Sequence, residues 1–397
     1  MKTLAKVCII AAAACILPAP GTAQTERRNF GSENSRREII FPQVNGMNVY
    51  KTDLHTHTIC SDGDITPALR VIEAWRDGLD AIAITDHIEY RRIERDMYRF
   101  MQPYIKEEYR GEKFAINTNV MTTPPDERGL LVDFNVSYDW ARKKGDELGI
   151  LVIRGVEITR KHLGDYNALF TKDNNAIFDL DAEKTIRNAR AQGAFIIHNH
   201  PQFNAKNANK LTDFCTSLYE KGLIDGVEVG NSNCFYRWII DHTLDNSYTP
   251  TSNTDVHGLT DFDYRSDSRD ASIRYRNMTL IIAPSCDEES LHEALRAGRT
   301  IAYHDNMLIG KEDLLKALFT ASVKFDVIGK SGKNKSVRIT NNSSMPYTIR
   351  TGNNTIRIAP LGATVVKMAG DNGSASVTVE NMWCGTERHP QITVELD

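Results

Sequence analysis

Histidine and carboxylate residues follow five apolar runs of the sequence, each at the point where a run ends. The runs lead into His55-Thr56-His57, Thr85-Asp86-His87, Gly155-Val156-Glu157, His198-Asn199-His200 and Asp255-Val256-His257. Imidazole and carboxylate are ligands that zinc, manganese and iron accept. One histidine after a strand is more often an ordinary core or surface residue, but five such clusters together indicate a metal site.

The spacing within two of these clusters indicates which side chains share an ion. Residues i and i+2 of a strand point to the same side, so His55 and His57 can face one ion, and so can Asp255 and His257. There are more ligands here than one ion needs, which predicts two or three divalent ions (Mn, Zn or Fe) with Glu157 as the bridging carboxylate. Clustered ions of this kind activate a water and neutralise developing oxyanion charge, as phosphate-ester hydrolysis requires.

The elements that would position these residues alternate between strand and helix patterns from residue 49 to residue 319. Thr66 is a good N-cap before Pro67, and further helices are predicted near 137–148, 181–192, 209–221, 234–243 and 288–297. Strand candidates lie at 49–54, 81–84, 150–153, 195–197, 227–229, 248–253, 278–283 and 300–303, and 248–253 is the weaker of them. This alternation favours an α/β barrel, whose active site lies at the carboxyl ends of its strands.

Both ends of the chain differ from this central part. Residues 1–23 have the layout of a signal peptide, which predicts a secreted or periplasmic protein; a lipoprotein modified at Cys15 is less favoured. Residues 24–48 are interpreted as a polar leader. Residues 320–397 carry short alternating stretches between turn signals, which predicts a small antiparallel β domain like a sandwich, used for packing or interaction.

Composition narrows the functional classes. The net charge is −4, and no basic stretch indicates a stable nucleic-acid partner. The apolar run near the N-terminus is too short for a membrane span. Outside the signal peptide, Cys60, Cys215, Cys234, Cys286 and Cys384 show no C-x-x-C spacing and indicate no disulfide framework. The sequence does not determine the oligomeric state.

The ordered motifs resemble those of the polymerase and histidinol phosphatase (PHP) family. The resemblance runs from about residue 50 to 310 and rests on 53–57 (DLHTH), 61–63 (SDG), 78–87, 155–157, 199–201 (NHP) and 253–257 (NTDVH). It implies a distorted (β/α)7 barrel in which His55, His57, Glu157 and Asp255 hold one ion. Asp62, His87 and His257 would hold a second ion bridged by Glu157, and His200 a third. Asp62, Glu157 and Asp255 are the expected catalytic carboxylates, with Asp62 or Asp255 protonating the leaving group.

Several further residues have open roles. Where the family often has Gly-His-x-Asn-Ala, this chain has Gly164-Asp165-Tyr166-Asn167-Ala168, so Asp165 substitutes for the histidine or His162 reaches in. His198 is a ligand or a group that supports one. Asp53 and Asp86 adjoin ligands and are expected to orient histidines. Arg265, Arg274 and Arg276 are expected to be solvent-exposed, with phosphate binding by Arg265 and Arg274 as the alternative.

Length, the signal peptide, the β-rich tail and the stretch 293–300 resemble the secreted phosphodiesterase branch of that family, the Sb-PDE-like enzymes. The resemblance implies metal-dependent hydrolysis of a small phosphodiester, with a phosphomonoester of a small metabolite as the alternative. An amidohydrolase-type C–N hydrolase is less favoured because no predicted strand ends in the lysine such enzymes use. A non-catalytic metal-binding protein is less favoured because almost all ligands are present.

Overall fold

The computed structural model describes residues 36–88, 133–160, 163–179, 181–201, 210–263, 275–331, 334–369 and 373–396. The predicted signal peptide, His162, Arg265 and Arg274 therefore lie outside the described residues. The residues from Arg36 onward form one compact unit. Ile39 and Val44 are buried in its core, so the second half of the segment interpreted as a leader belongs to the fold.

Eight α-helices lie in the described part of the chain: α1 (Pro67–Arg76), α2 (Val136–Leu148), α3 (Ala182–Ala191), α4 (Asp213–Glu220), α5 (Ile240–Asp245), α6 (Thr260–Asp263), α7 (Glu288–Arg296) and α8 (Glu312–Ser322). The predicted start of α1 is confirmed, because the Thr66 side chain accepts a hydrogen bond from the Leu69 N–H. The single helix predicted near 234–243 is wrong. Ser232 adopts a left-handed φ of 49° and turns the chain back, so a short strand and a 3-10 turn (Arg237–Ile239) precede α5.

Twelve strands form the main sheet: β1 (Asn48–Asp53), β2 (Ala81–Ile84), β3 (Leu151–Arg160), β4 (Gly164–Leu169), β5 (Phe195–His198), β6 (Gly226–Asn231), β7 (Cys234–Phe235), β8 (Thr249–Asn253), β9 (Met278–Ala283), β10 (Thr300–His304), β11 (Met307–Gly310) and β18 (Met382–Trp383). Their order is β18-β11-β10-β9-β1-β2-β3-β4-β5-β6-β7, and β8 pairs with β6. The sheet is curled, because a parallel bridge joins Thr56 after β1 to Val256 after β8. This arrangement is consistent with a PHP-type barrel.

The strands pair in both parallel and antiparallel fashion, whereas the sequence predicted an alternation of helices with parallel strands. β1, β2 and β3 are parallel, and so are β5, β6 and β8. Strand β4, which the sequence did not predict, pairs antiparallel with both β3 and β5, and β9 pairs antiparallel with β1. The reason at β3 is its length: it continues through Glu157 to Arg160, and β4 follows at Gly164 with no helix between them.

Burial on both faces of β2 shows how the sheet lies between two apolar layers. Ile82 and Ile84 pack with residues of α1 and α2, including Val71. Ala81 and Ala83 fall in a second cluster with Leu54, inside the curl. Both faces are buried, as expected of a parallel strand in such a fold. The strand ends between these layers are therefore held rigidly.

The C-terminal part contains two small antiparallel sheets. One consists of β12 (Val323–Ser331), β13 (Asn334–Asn341) and β16 (Ala363–Ala369); the other consists of β15 (Asn354–Ile358), β14 (Tyr347–Thr351), β17 (Ser374–Val379) and β19 (Gln391–Glu395). Ile339 of the first sheet and Ile349 of the second lie in one core cluster. Strand β18 leaves this region and pairs with β11, so the main sheet and the C-terminal sheets are joined.

Two further findings concern the described residues as a set. Among the described residues, Cys215, Cys234, Cys286 and Cys384 form no disulfide. None of the helices in this described part of the chain is long and apolar enough to cross a membrane.

Candidate metal centre

The predicted ligands meet at one end of the curled sheet. His55 and His57 follow β1, His87 follows β2, His200 follows β5, and Asp255 and His257 follow β8. Glu157 differs, because it lies inside β3 rather than after it. These residues and Asp62 form three overlapping groups whose ligand atoms lie within 4.8 Å of one another: His57, Asp62, His87 and His257; His55, His200 and Asp255; and His55, His57 and Glu157.

Glu157 stands at the junction of the groups. Its Oε2 lies 3.4 Å from His55 Nε2, 3.2 Å from His57 Nε2 and 3.2 Å from His87 Nδ1. Its Oε1 lies 3.4 Å from His200 Nε2 and accepts a hydrogen bond of 2.8 Å from Asn199 Nδ2. One carboxylate therefore faces side chains of all three groups, which is the placement expected of a bridging ligand.

Asp255 is a second carboxylate that faces His55, His57 and His200. Its Oδ1 lies 3.2 Å from His55 Nε2 and 3.0 Å from His57 Nε2, and its Oδ2 lies 3.7 Å from His200 Nε2. Asp255 (φ 54°) and His200 (φ 22°) both have a left-handed backbone. Such conformations are uncommon for residues other than glycine and concentrate at functional sites. Both side chains are thus aimed inward at a cost in backbone strain.

Asp62 and His257 form the outer side of the cluster. Asp62 Oδ1 lies 3.3 Å from His257 Nε2 and 3.5 Å from His57 Nδ1, and its Oδ2 lies 3.4 Å from His87 Nε2. The His257 side chain is 40% exposed, whereas His55 and His57 are fully buried. The cluster therefore opens to solvent beside His257.

Opposed pKa shifts show how closely the charges of this cluster are balanced. Burial alone would lower the pKa of each inner histidine, but the neighbouring carboxylates raise the pKa of His57 to about 10 and of His200 to about 9. Burial would raise the pKa of Glu157, Asp62 and Asp255, but the surrounding histidines hold all three below the usual range. Ionised carboxylates that hold protons on the neighbouring histidines would also attract divalent cations, which compete with those protons for the imidazole nitrogens.

The donor set fits divalent metal ions. Buried imidazole nitrogens and carboxylate oxygens converge within contact distance, and the buried Nδ1 of His57 has no hydrogen-bond partner within the described part of the chain. A buried polar atom without a partner is costly unless something else satisfies it. Mixed nitrogen and oxygen ligands of this kind suit zinc, manganese or iron.

Two residues with open roles do not belong to any of the three groups. Asp165 Oδ2 lies 3.7 Å from Nδ1 of His200, the ring nitrogen opposite the one that faces Glu157, so Asp165 is placed to orient His200. His198 points elsewhere: its Nδ1 is 2.8 Å from the Tyr219 hydroxyl, and burial lowers its pKa to about 3. His198 and His200 do not share a side because β5 ends at His198 and the left-handed His200 breaks the alternation.

The two aspartates expected to orient histidine rings hold the adjoining backbone instead. Asp86 accepts hydrogen bonds from the N–H and hydroxyl of Thr58 and from the Ser61 hydroxyl. Asp53 accepts them from the N–H and hydroxyl of Thr254. The expectation that Arg276 is exposed is wrong, because it is buried and forms an ion pair with Asp53.

Sequence reasoning missed two buried residues that support the ligands. Glu228 contacts the ring of His55, and Arg70 donates hydrogen bonds to the carbonyl oxygens of His57 and His257. Glu228 had a usable signal, since a charged residue between Val227 and Val229 of a buried strand is rarely tolerated without partners. Arg70 gave less warning, because it lies on a helix whose other buried residues are apolar or small.

Comparison with known proteins agrees with this geometry. The structure is similar to the crystal structure of a two-domain protein from Bacteroides vulgatus that contains a predicted PHP-like metal-dependent phosphoesterase. The TM-score is 0.77, with 29% identity over 92% of this chain and 100% of that one. A lesion-specific endonuclease from Pyrococcus furiosus is much less similar, with a TM-score of 0.38 and 15% identity over 70% of this chain and 62% of that one. No curated protein sequence matches the chain. Residues 53–226, which carry His55 to His200 of the cluster, match the PHP domain.

Proposed function

We propose that this protein is a phosphodiesterase that works with two or three divalent cations and belongs with the secreted, Sb-PDE-like enzymes of the PHP family. The observation that carries the proposal is the convergence of three ligand groups on one buried carboxylate, Glu157. The PHP domain and the similarity to a protein containing a predicted PHP-like phosphoesterase support hydrolysis of a phosphate ester. The preference for a diester rests on the resemblance alone.

The residues that would hold the cations fall into the groups that their distances define. His55, His57, Glu157 and Asp255 surround one position; Asp62, His87 and His257, with His57, surround another; and His200 faces Glu157 and Asp255. Bound divalent cations would supply a nucleophilic water near neutral pH and neutralise charge on the phosphate oxygens.

The exposed side of the cluster indicates where a phosphate ester would enter. Glu157 has almost no exposed side-chain surface, whereas Asp62 and Asp255 are 13% and 19% exposed and stand beside the open His257. Glu157 is therefore placed to hold the centre together. Asp62 and Asp255 are the carboxylates that a substrate entering from this side would meet first.

The test compares metal content and hydrolysis in one preparation. We expect metal-free protein reloaded with Mn²⁺, Zn²⁺ or Fe²⁺ to hydrolyse bis-p-nitrophenyl phosphate faster than p-nitrophenyl phosphate. His55→Ala should lose both the metal and the activity. His292→Ala is the matched control, because His292 stacks on Phe170 of the core outside the three groups and should keep both. Faster hydrolysis of the monoester would replace the diesterase proposal by a monoesterase; full activity in His55→Ala would remove the site.

We also propose that the protein is exported, with cleavage after Ala23 leaving a secreted or periplasmic enzyme whose substrate is a small phosphate ester. The charged start, apolar run and small residues of 1–23 support this. Expression of the full chain in a Gram-negative host, followed by mass spectrometry of the exported protein, should show an N-terminus at Gln24. Retention in the cytoplasm with an intact N-terminus would contradict it.

A further inference from the structure

Glu228 is a fully buried carboxylate in the middle of β6 that none of the three ligand groups contains. Its Oε1 lies 3.0 Å from His55 Nδ1 and accepts a hydrogen bond of 2.9 Å from Asn253 Nδ2. Its Oε2 accepts hydrogen bonds from the His200 backbone N–H at 2.9 Å and from Asn231 Nδ2 at 2.8 Å. Each oxygen thus has two partners, and two of the four belong to predicted metal ligands.

The directions of these hydrogen bonds are fixed by their surroundings. The Leu54 N–H donates to Asn253 Oδ1 at 3.0 Å, so the Asn253 amide group must donate to Glu228 through Nδ2. The His200 backbone N–H can only donate. A carboxylate that accepts on both oxygens takes a proton from His55 Nδ1 as well, which leaves the lone pair of His55 on Nε2. That Nε2 is the nitrogen that faces His57, Asp255 and Glu157.

The partners of Glu228 concentrate at the group of His55, His200 and Asp255, and His55 also belongs to the group of His55, His57 and Glu157. His55 and His200 are two of the three members of the first of these groups, and Asn253 lies two residues before the third, Asp255. In the group of His57, Asp62, His87 and His257, the corresponding support comes from a different side chain: Thr159 Oγ1 lies 2.8 Å from His87 Nδ1, while His87 Nε2 faces Asp62. None of the four partners of Glu228 belongs to this last group.

We propose that Glu228 is a positioning residue that fixes the tautomer of His55 and the strained backbone of His200, and so sets the cation affinity of the two groups that contain His55 but not that of the group of His57, Asp62, His87 and His257. Glu228→Gln keeps the shape but puts an NH₂ where one oxygen was. That NH₂ would face either the His200 N–H or the Asn253 NH₂ and His55 Nδ1. The change therefore disturbs His200 or reverses the His55 tautomer, and both outcomes weaken a group that contains His55. The proposal rests on the proposed function in that it assumes cations at these groups.

The test titrates the metal-free full chain with Mn²⁺ and follows free Mn²⁺ by electron paramagnetic resonance. Loss of a positioning group typically weakens metal binding about 10–100-fold. We expect Glu228→Gln to weaken one class of site by that factor and leave the other within about twofold. His200→Ala and His87→Ala identify the two classes. Equal weakening of both classes by Glu228→Gln, or of neither, would overturn the proposal.

A second measurement uses the wild-type chain and so does not depend on how the variant folds. In Zn²⁺-loaded protein with ¹⁵N-labelled histidine, two-bond nitrogen–proton correlations should show His55 as the Nδ1–H tautomer, with the signal assigned by its loss in His55→Gln. An Nε2–H tautomer at His55 would refute the role of Glu228 even if the metal binds. Wild-type protein that binds no Mn²⁺ and no Zn²⁺ would refute the proposed function together with this inference.

Discussion

Replacing Arg276 with methionine should destabilise the protein strongly, because it leaves a buried charge without its partner. Arg276 Nη2 lies 2.5 Å from Asp53 Oδ2, and both side chains are almost completely buried. Arg276 Nη1 also contacts Asp77 at 3.1 Å. Asp53 in turn accepts hydrogen bonds from Thr254, one residue before Asp255. The pair therefore ties the end of β1 to the end of β8, where the curled sheet closes.

The expected size follows from these contacts. Removing one partner of a buried ion pair typically costs about 3–5 kcal/mol, because the remaining charge is left desolvated. Thr254 still donates two hydrogen bonds to Asp53, which places the expectation near the lower limit, about 3 kcal/mol. Asp53→Asn combined with Arg276→Met removes both charges. It should cost less than the sum of the single changes, with a coupling energy of at least about 1 kcal/mol.

Urea unfolding followed by circular dichroism measures these differences. The matched control is Arg350→Met, because Arg350 pairs with Glu380 at the surface, with the two side chains 49% and 32% exposed. Such pairs contribute about 0–1 kcal/mol. If Arg276→Met cost no more than Arg350→Met, or if the double variant were simply additive, the closure of the sheet would not depend on this ion pair.

Three further predictions concern the metal centre. In Gly63→Ala the new Cβ would lie 2.7 Å from the carbonyl carbon of His57, so it should cost about 1–3 kcal/mol and weaken Mn²⁺ binding. Gly329→Ala, which meets only ordinary contacts, is its control, and equal melting temperatures and Mn²⁺ affinities for the two variants would contradict the prediction. In metal-free protein the pKa of His57 is raised to about 10, so protonation of His57 stabilises the fold. This stabilisation is complete below pH 6.5 and is lost as the pH rises through 10. The lowered pKa of Asp62 stabilises above 3.8, so thermal melting should occur at the highest temperature between pH 4 and 6.5; a melting temperature that rises from pH 6.5 to 10 would refute this. Mn²⁺ at about 100 times its dissociation constant should add roughly 2.7 kcal/mol per site. A chelator should reverse the gain, and urea midpoints unaffected by Mn²⁺ would exclude binding to the folded state.

The ligands on the strand ends were accessible from the sequence because their signals are local. An apolar run followed at once by His55-x-His57, or by His87, combines a periodic pattern with residue types that rarely occur at such positions by chance. Asp255-x-His257 has the same two-residue spacing but follows a weaker strand pattern at 248–253. The structure brings all of these side chains together with Glu157 and His200. Their relative positions follow from one rule, that parallel strands place their carboxyl ends at the same edge.

Strand β4 could not be recognised in this way, because its polar side chains face the inside of the fold. Asp165 and Asn167 are buried, and Asn167 donates a hydrogen bond to the Leu54 carbonyl. A strand whose inner face is polar lacks the apolar alternation on which strand prediction depends. The Arg276–Asp53 pair joins residues far apart in the chain, and no local pattern reveals it.

The two strained ligands indicate that the centre is imposed by its surroundings rather than by the ligands themselves. A left-handed backbone at His200 and Asp255 costs free energy and persists only where neighbouring contacts determine it. Those contacts are specific: the His200 N–H donates to Glu228, and the Asp255 N–H donates to the His55 carbonyl at 2.9 Å. His200 is therefore held by a hydrogen bond to Glu228, which also contacts His55, and Asp255 is held by a hydrogen bond to His55 itself. Substitution of Glu228 should therefore alter metal binding even though every ligand is retained. Glu228 is thus a more informative position to change than one of the ligand histidines.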